Sequence, residues 1–310
     1  MLINHNFKSK NSLDRQEDVI QFLVLHYTQV PVSTTLGIFT NNPELTKPDA
    51  DFFAGLTTDP VALCNNKVSA HYVISEEGIT YQLVDEELVA FHAGVSYWSG
   101  IQNINNNSIG IELENVGYDW AHEVVSARAV KINGSEKTWC QFAETQIEQT
   151  IALCHKIIEK YNIKPYNIVG HSDIACSRKY DPAPFSRKYD PGPLFPWQLL
   201  AKLGIGIWYD VSESTITANN LPEDRVEWML NKLSEFGYDC SPLAEQDDRR
   251  MLHTIIQSFQ MHFRPNNIDG DIDLECMQII DSLCKRKHAY DLQDSEIKAS
   301  AQSNSTSYIR

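Results

Sequence analysis

The chain has 310 residues, of which 42% are hydrophobic and 22% charged, and its formal net charge is −15. This composition is typical of a globular protein with one large domain or two smaller ones. The acidic balance argues against nucleic acids and anionic membrane surfaces as partners, because phosphate binding depends on Lys and Arg. No apolar stretch approaches the roughly eighteen residues of a transmembrane helix.

Four apolar runs predict β-strands. They are VIQFLVLHYT (residues 19–28), SAHYVISEEGITYQLV (69–84, two strands around a turn), SIGIELEN (108–115) and YNIVGHSD (166–173). The first run ends in His26 and the last reaches His171. Because ligands bind at the carboxyl ends of strands in α/β sheets, we expect both histidines at one sheet edge.

An amphipathic helix is predicted at residues 146–161, where Ile147, Ile151, Cys154 and Ile158 recur at helical spacing. Strands mixed with a helix predict an α/β domain over residues 19–206, preceded by an N-terminal tail at 1–18. Within the domain, residues 30–68 are interrupted by proline turns and are predicted to form a long loop or lid.

The pattern changes after a polar linker at residues 207–220. Residues 221–290 contain three short amphipathic segments, which predict a small three-helix bundle of their own. Residues 291–310 are rich in Ser, Asp, Gln and Lys, and we expect them to be disordered.

Two histidines and a downstream aspartate suggest a metal site. A catalytic zinc ion uses three protein ligands and one open position, and His26, His171 and an Asp after His171 meet that demand. A single histidine at a strand end is more often structural, so the argument depends on the set.

Two glutamates and a lysine are candidates for the remaining chemistry. Glu112 and Glu114 alternate with apolar residues and therefore share one strand face. That face can be simply solvated, but a carboxylate beside apolar neighbours also acquires the raised pKa that suits proton transfer. The lysine of the Arg-Lys-Tyr-Asp motif is either an oxyanion partner or a surface charge.

Seven cysteines lack CxxC spacing and fit neither a disulfide framework nor a cysteine zinc site. We expect most of them to be small core residues. A thiol peptidase that pairs one of them with a histidine is an alternative.

Taken together, VLHYT, KVSAHYVIS, AFHAG, SIGIELEN, GHSDIA and RKYDPGPLFPW resemble the zinc-dependent N-acetylmuramoyl-L-alanine amidases of the AmpD and AmiD type. LLAKLGIGIWYD, SEFGYD and SFQMHFRP extend the resemblance over residues 19–290 and make it closest to the AmiD type. The resemblance implies a mixed central β-sheet flanked by helices, followed by a helical peptidoglycan-binding domain at 221–290. A bundle that only supports the catalytic domain is the alternative for those helices.

The resemblance also implies residue roles. One zinc ion would be held by His26, His171 and a motif Asp, and Glu112 would be the general acid and base. The Lys two residues before that Asp would stabilise the transition state. His71 and His92 fall in family motifs and are expected to support the cleft rather than contact substrate. The implied reaction is hydrolysis of the amide between N-acetylmuramic acid and L-alanine, with the anhydro form of the sugar left open.

The motif that supplies this Asp and Lys is duplicated, because Ser-Arg-Lys-Tyr-Asp-Pro occurs at residues 177–182 and again at 186–191. The first copy, with Lys179 and Asp181, keeps the family's spacing from His171. The second copy, with Lys188 and Asp190, keeps the following Gly192. Doubling a flexible loop costs only about 0.6 kcal/mol, whereas Ala in place of Gly costs on the order of 1 kcal/mol where φ is positive. We therefore favour Asp190 and Lys188, with Asp181 and Lys179 as the alternative.

We expect peptidoglycan or muropeptides as the partner, no nucleic acid, and a monomer. The substrate and the AmiD-like architecture favour the cell envelope or periplasm. The first residues lack the apolar region of a secretory leader, so the cytoplasm is the alternative. A non-catalytic peptidoglycan-binding or recognition module is the alternative function, although the full set of ligand types together with Glu112 favours an enzyme.

Overall fold

A six-stranded mixed β-sheet forms the centre of the computed structural model, which describes residues 2–54, 59–118, 127–176, 188–241, 243 and 249–306. Its strand order is β1 (Ile3–Asn4), β5 (Thr80–Gln82), β4 (Tyr72–Ile74), β9 (Ser108–Leu113), β3 (Phe22–Tyr27) and β12 (Ile168–Gly170). Strand β3 is parallel to both of its neighbours, whereas β4 and β5 are antiparallel. The predicted mixed sheet is confirmed.

Three smaller strand pairs surround this sheet. They are β2 (Ser12–Asp14) with β6 (Leu88–Ala90), β7 (Tyr97–Trp98) with β8 (Ile101–Gln102), and the hairpin of β10 (Ala127–Ile132) and β11 (Ser135–Cys140).

The described helices lie around the strands. They are α1 (Val32–Thr40), α2 (Pro60–Leu63), α3 (Glu144–Tyr161), α4 (His171–Ile174), α5 (Trp197–Lys202), α6 (Arg225–Phe236), α7 (Arg249–Phe263) and α8 (Leu274–Thr306). Short 3₁₀ turns occupy Pro43–Asp49, Ile104–Asn107, Pro165–Asn167 and Val211–Glu213. No described helix combines the length and the hydrophobicity needed to cross a membrane.

Strand β3 is buried on both faces, as its unbroken apolar sequence predicts for a central parallel strand. Leu23 and Leu25 join a core with the inner stripe of α3, which confirms the predicted amphipathic helix. Phe22 and Val24 point to the opposite face and join a core with α6, α7 and α8. Each face of the sheet is therefore covered by helices.

The N-terminal residues are part of the sheet. We expected a tail at 1–18, but β1 pairs with β5 and β2 pairs with β6. The side chain of Arg15 also donates hydrogen bonds to the carbonyls of Leu88 (2.8 Å) and Ser108 (3.0 Å). These contacts with strand edges outweigh the polar composition on which the prediction was based.

The segment at residues 30–68 is largely helical where it is described. Leu36 and Phe39 of α1 pack in a buried cluster with Val73 and Leu83, so α1 covers the sheet rather than forming a loop or lid. The proline turns that suggested a loop lie in the 3₁₀ turn Pro43–Asp49 and at the start of α2.

The three predicted C-terminal helices, α6, α7 and α8, are present, and their common core extends to the central sheet. Met229, Phe259 and Ile280 are buried in one core with Phe22 and Val24 of β3. An amphipathic stripe shows that a helix face is buried but not what buries it, so the sequence pattern could not reveal this shared core.

The linker and the tail also differ from prediction. In the supposed linker, the backbone N–H of Thr215 donates to Asp281 Oδ2 of α8 at 2.8 Å. Helix α8 continues to Thr306 and so includes most of the segment 291–310 for which we predict disorder, whereas 307–310 lie outside the described part. An ion pair of 2.7 Å between Lys164 and Asp294 ties the extended helix to the sheet domain.

Candidate active site

His26, His171 and Asp190 meet where β3 and β12 end. The Nδ1 atoms of the two histidines are 3.1 Å apart. Asp190 Oδ2 lies 2.9 Å from Nδ1 of His26 and 3.0 Å from Nδ1 of His171. All three side chains are buried. The expectation that both histidines lie at one sheet edge is confirmed.

The donor set fits a zinc ion. Two neutral imidazole nitrogens and one carboxylate oxygen are the ligand types of catalytic zinc sites. Zinc–ligand bonds of about 2.0–2.2 Å place tetrahedral ligand atoms roughly 3.3 Å apart, which is close to the separations between these three atoms.

The backbone around Asp190 holds its carboxylate against the histidines. Ser172 donates its backbone N–H to the carbonyl of Asp190 at 2.9 Å. A Cβ atom at Gly170 would lie 2.6 Å from Pro191 Cδ, so the glycine lets the Asp190–Pro191 segment approach β12. These contacts connect the second copy of the repeat directly to the turn that carries His171.

Gly192 occupies the turn position at which the repeat copies differ. Its φ is +85°, and an added Cβ would meet the ring of Trp139 at 2.8 Å. Any residue with a side chain is therefore disfavoured at this position. This agrees with the argument for the second copy, which has glycine here. Lys179 and Asp181 of the first copy lie within 177–187, outside the described residues.

Each histidine of the cluster is oriented by its second ring nitrogen. His171 Nε2 lies 3.1 Å from the carbonyl of Ala93 and donates to it. His26 Nε2 lies 3.0 Å from His92 Nδ1, and His92 Nε2 lies 3.0 Å from Ser108 Oγ. If His26 presents an unprotonated Nδ1 to a metal, its Nε2–H donates to His92, and His92 in turn donates to Ser108. Such outer hydrogen bonds fix ring orientation and ligand tautomer.

His71 and His92 are buried and make structural hydrogen bonds near the cluster. Burial holds the pKa of His92 well below its usual value and lowers the pKa of His71 to about 4, so both rings are neutral. His71 Nδ1 accepts the backbone N–H of Gly110 at 3.0 Å, which leaves its Nε2 to donate to Leu88 at 3.1 Å. His71 therefore braces β9 rather than joining the metal cluster.

Glu112 lies beside the cluster in a buried position. It is the register partner of His26 across β9 and β3, so both side chains point to the same face. Glu112 is 8% exposed, and burial raises its pKa to about 7, with Asp190 adding to the rise while His26 and Lys188 oppose it. Its Oε2 has no hydrogen-bond partner among the described residues. A carboxylate with this pKa and an uncommitted oxygen is suited to move a proton near neutral pH.

Glu114, on the same strand face, has a structural role. Its Oε1 accepts the backbone N–H of Val32 at 2.6 Å, and its Oε2 accepts that of Glu76 at 2.9 Å. Neither glutamate therefore lies on a simply solvated strand face. The two differ because, of this pair, only Glu112 has a carboxylate oxygen without a hydrogen-bond partner among the described residues.

Lys188 places a positive charge next to this site. Its side chain is partly exposed, and its charge opposes the rise that burial causes in the pKa of Glu112. Burial lowers the pKa of His171 to about 3, and Lys188 adds to this fall. A cation in this position can stabilise negative charge that develops near the cluster.

The cysteines do not favour thiol chemistry. All seven are free and six are buried, as expected for core residues. Burial raises the pKa of each thiol, for example to about 12 in Cys154, whereas a nucleophilic cysteine needs a lowered pKa. The thiol peptidase alternative is therefore disfavoured.

A second buried group, which was not predicted from the sequence, consists of Asp173, Tyr238 and His262. Asp173 accepts hydrogen bonds from Tyr238 Oη at 2.7 Å and His262 Nδ1 at 2.8 Å. An acidic residue in the first turn of a helix is a capping signal, and that signal could have identified Asp173. Nothing in the sequence indicates its long-range partners.

Comparisons with known proteins agree with this geometry. The family described as N-acetylmuramoyl-L-alanine amidase matches residues 15–193. N-acetylmuramoyl-L-alanine amidase AmiD of Escherichia coli (strain K12) is 37% identical over 247 residues, which cover 76% of this chain and 79% of that protein. The 1,6-anhydro-N-acetylmuramyl-L-alanine amidase AmpD of Enterobacter cloacae is 32% identical over 168 residues, 52% of this chain and 73% of that protein.

Solved structures are similar over most of the chain. The complex of E. coli AmiD with the substrate anhydro-N-acetylmuramic acid-L-Ala-D-gamma-Glu-L-Lys has a TM-score of 0.62 and 32% identity, and it covers 91% of this chain and 93% of its own. AmpDh3 of Pseudomonas aeruginosa in complex with anhydromuramic pentapeptide has a TM-score of 0.63 and 30% identity, with coverage of 86% and 92%. The chain therefore belongs to the N-acetylmuramoyl-L-alanine amidase family, as an enzyme of the AmpD and AmiD type.

Proposed function

We propose that the chain is a zinc hydrolase in which His26, His171 and Asp190 hold one zinc ion, Glu112 moves the proton and Lys188 stabilises the oxyanion. It cleaves the amide bond between N-acetylmuramic acid, or its anhydro form, and L-alanine of the peptidoglycan stem peptide. The observation that carries the proposal is the convergence of three ligand atoms within about one zinc coordination shell, next to a buried glutamate with a free oxygen.

The chemistry follows from the positions of these groups. A bound zinc ion supplies Lewis acidity, which polarises the scissile carbonyl and lowers the pKa of water. Glu112, with a pKa of about 7, accepts a proton from the attacking water and returns it to the departing amine of L-alanine. Lys188 contributes positive charge where the carbonyl oxygen becomes negative. The contacts of His26 Nε2 with His92 and of His171 Nε2 with the carbonyl of Ala93 orient both rings.

The choice of substrate is supported by the relatives. Related amidases have been solved with anhydromuramyl peptides bound, and the similarity of this chain to those structures extends beyond the catalytic motifs to at least 86% of its length. A muramyl tripeptide and its anhydro counterpart are therefore the substrates to test.

Chromatographic detection of released stem peptide tests the proposal. The zinc-loaded chain should release the peptide, a chelator should stop the release, and added zinc should restore it. His26→Ala should abolish zinc binding and cleavage, whereas His155→Ala, which replaces an exposed histidine of α3, should change neither. Binding of sacculi without any release at saturating zinc would instead support a recognition module.

The repeat offers a second test, with a matched control in the same chain. Asp190→Ala should lose zinc and cleavage together, because the remaining two histidines leave the site without its carboxylate ligand. Asp181→Ala should retain both. Metal analysis after dialysis distinguishes the variants, and loss of zinc only in Asp181→Ala would assign the ligand to the first copy.

A further inference from the structure

The C-terminal helices cover the sheet face on which the metal cluster lies. Phe22 and Val24 of β3 pack against these helices, and alternation along the strand puts His26 on the same face. The helical region is therefore close enough to act on the cluster through the protein interior.

Asp173 connects the C-terminal helical region to the turn that carries His171. This side chain is 1% exposed, and its Oδ2 accepts the backbone N–H of Gly170 at 2.8 Å, just before His171. His262 Nδ1, from the last turn of α7, donates to the same oxygen at 2.8 Å. Tyr238, which follows α6, donates to Oδ1 at 2.7 Å.

We propose that the helical region completes the metal site, with His262 and Tyr238 acting as positioning residues through Asp173. A carboxylate that is bound on both oxygens holds the first turn of α4 in one arrangement, and His171 is the first residue of that turn. Removing a hydrogen bond made directly to a metal ligand changes metal affinity by about 10- to 100-fold. His262 and Tyr238 act through Asp173 and the backbone of Gly170, so we expect effects at the lower end of this range. The inference rests on the proposed zinc site.

His262 also packs against the segment that follows Asp190. Its ring stacks on Trp197 with centroids 3.9 Å apart and an interplanar angle of 17°. Trp197 opens α5 shortly after Asp190, so His262 packs against the segments that carry both Asp190 and His171.

Zinc affinity of the full-length chain, measured by competition with a chromophoric chelator, tests the inference without recourse to enzyme activity. Tyr238→Phe removes one hydrogen bond to Asp173 with almost no change in volume, and His262→Ala removes the other. His262→Asn retains an N–H donor close to the position of Nδ1 and should rescue affinity. Leu283→Ala, in the same core but at a side chain that cannot form a hydrogen bond with Asp173, is the control for general destabilisation.

We expect a zinc dissociation constant raised about tenfold or more in His262→Ala and in Tyr238→Phe, and a value near wild type in His262→Asn and Leu283→Ala. Thermal melts should confirm that each variant is folded at the assay temperature. If His262→Ala does not fold, the zinc affinity of Tyr238→Phe tests the inference by itself. Affinity within twofold of wild type in Tyr238→Phe, or an equal loss in Leu283→Ala, would overturn the inference. If the wild-type chain binds zinc but cleaves no muropeptide, the proposed function is wrong. The role of His262 and Tyr238 in zinc binding would still be tested, because it depends only on the zinc affinities.

Discussion

The two faces of strand β9 differ in what their side chains do. Ile109, Ile111 and Leu113 point toward α3 and are completely buried in an apolar core. Ser108, Gly110 and Glu112 point the other way, where Ser108 contacts His92 and Gly110 makes room for the His92 ring. The comparison shows that strand alternation builds the core and the site from consecutive residues, so neighbouring substitutions should separate stability from chemistry.

The largest expected effect on the chemical face is that of Glu112→Gln. The amide cannot accept a proton, so we expect kcat to fall by about 10²- to 10⁴-fold while zinc remains bound. Steady-state cleavage of a muramyl peptide, together with metal analysis, provides the measurement. Glu114→Gln is the control on the same strand face: its amide nitrogen cannot accept one of the two backbone N–H groups that Glu114 binds, so this variant should lose stability but keep its kcat. A Glu112→Gln variant that keeps more than a tenth of wild-type kcat would contradict the assigned role.

Substitution on the apolar face should have the opposite result. Ile111→Ala leaves a cavity in the core between β9 and α3, and we expect a loss of about 2–5 kcal/mol in the free energy of unfolding. Well below its unfolding midpoint the variant should keep a kcat near wild type. Urea denaturation measures the stability, and Ile111→Val, with an expected loss of about 0.5–1.5 kcal/mol, provides a graded comparison. A large fall in kcat of the folded variant would show that the faces are not separable.

Glu112 should also make the metal-free protein less stable at higher pH. Its pKa rises from 4.5 to about 7 on folding, so the folded chain binds this proton more tightly than the unfolded chain does. Stability is therefore lost as the pH rises from below 4.5 to above 7, by about 3 kcal/mol. Metal-free Glu112→Gln should be more stable than wild type at pH 8, with the gain shrinking toward pH 4. Urea titrations across this range provide the measurement, and a gain independent of pH would rule out titration of Glu112 as its cause.

Much of the site could be predicted because its residues lie at strand ends within local motifs. His26, His171 and Glu112 each follow or belong to an apolar strand, and alternation gives the face on which Glu112 points. The choice of Asp190 depended on the conformation of one turn, and the positive φ of Gly192 agrees with that argument.

The errors arose where packing between distant segments decides the structure. The N-terminal residues look like a polar tail, yet β1 and β2 complete strand pairs that lie far away in sequence. The three C-terminal helices are present as predicted, but the sequence does not indicate that residues of β3 join their core. Periodicity shows which face of an element is buried but not its partner, and for the same reason the contact of His262 with Asp173 could not be anticipated.

The smallest expected effect concerns His92, which contacts Nε2 of His26, the ring nitrogen that does not face the cluster. His92→Ala leaves His26 Nε2 without its partner, and we expect zinc affinity to fall by about 10- to 100-fold through loss of ring orientation. Ser108→Ala removes only the next hydrogen bond, worth about 0.5–1.5 kcal/mol, and should weaken binding less. Chelator competition gives both affinities. Because the effect passes from Ser108 through His92 to His26, Ser108→Ala in the His92→Ala background should add almost nothing, whereas additive losses would show that the two residues act independently.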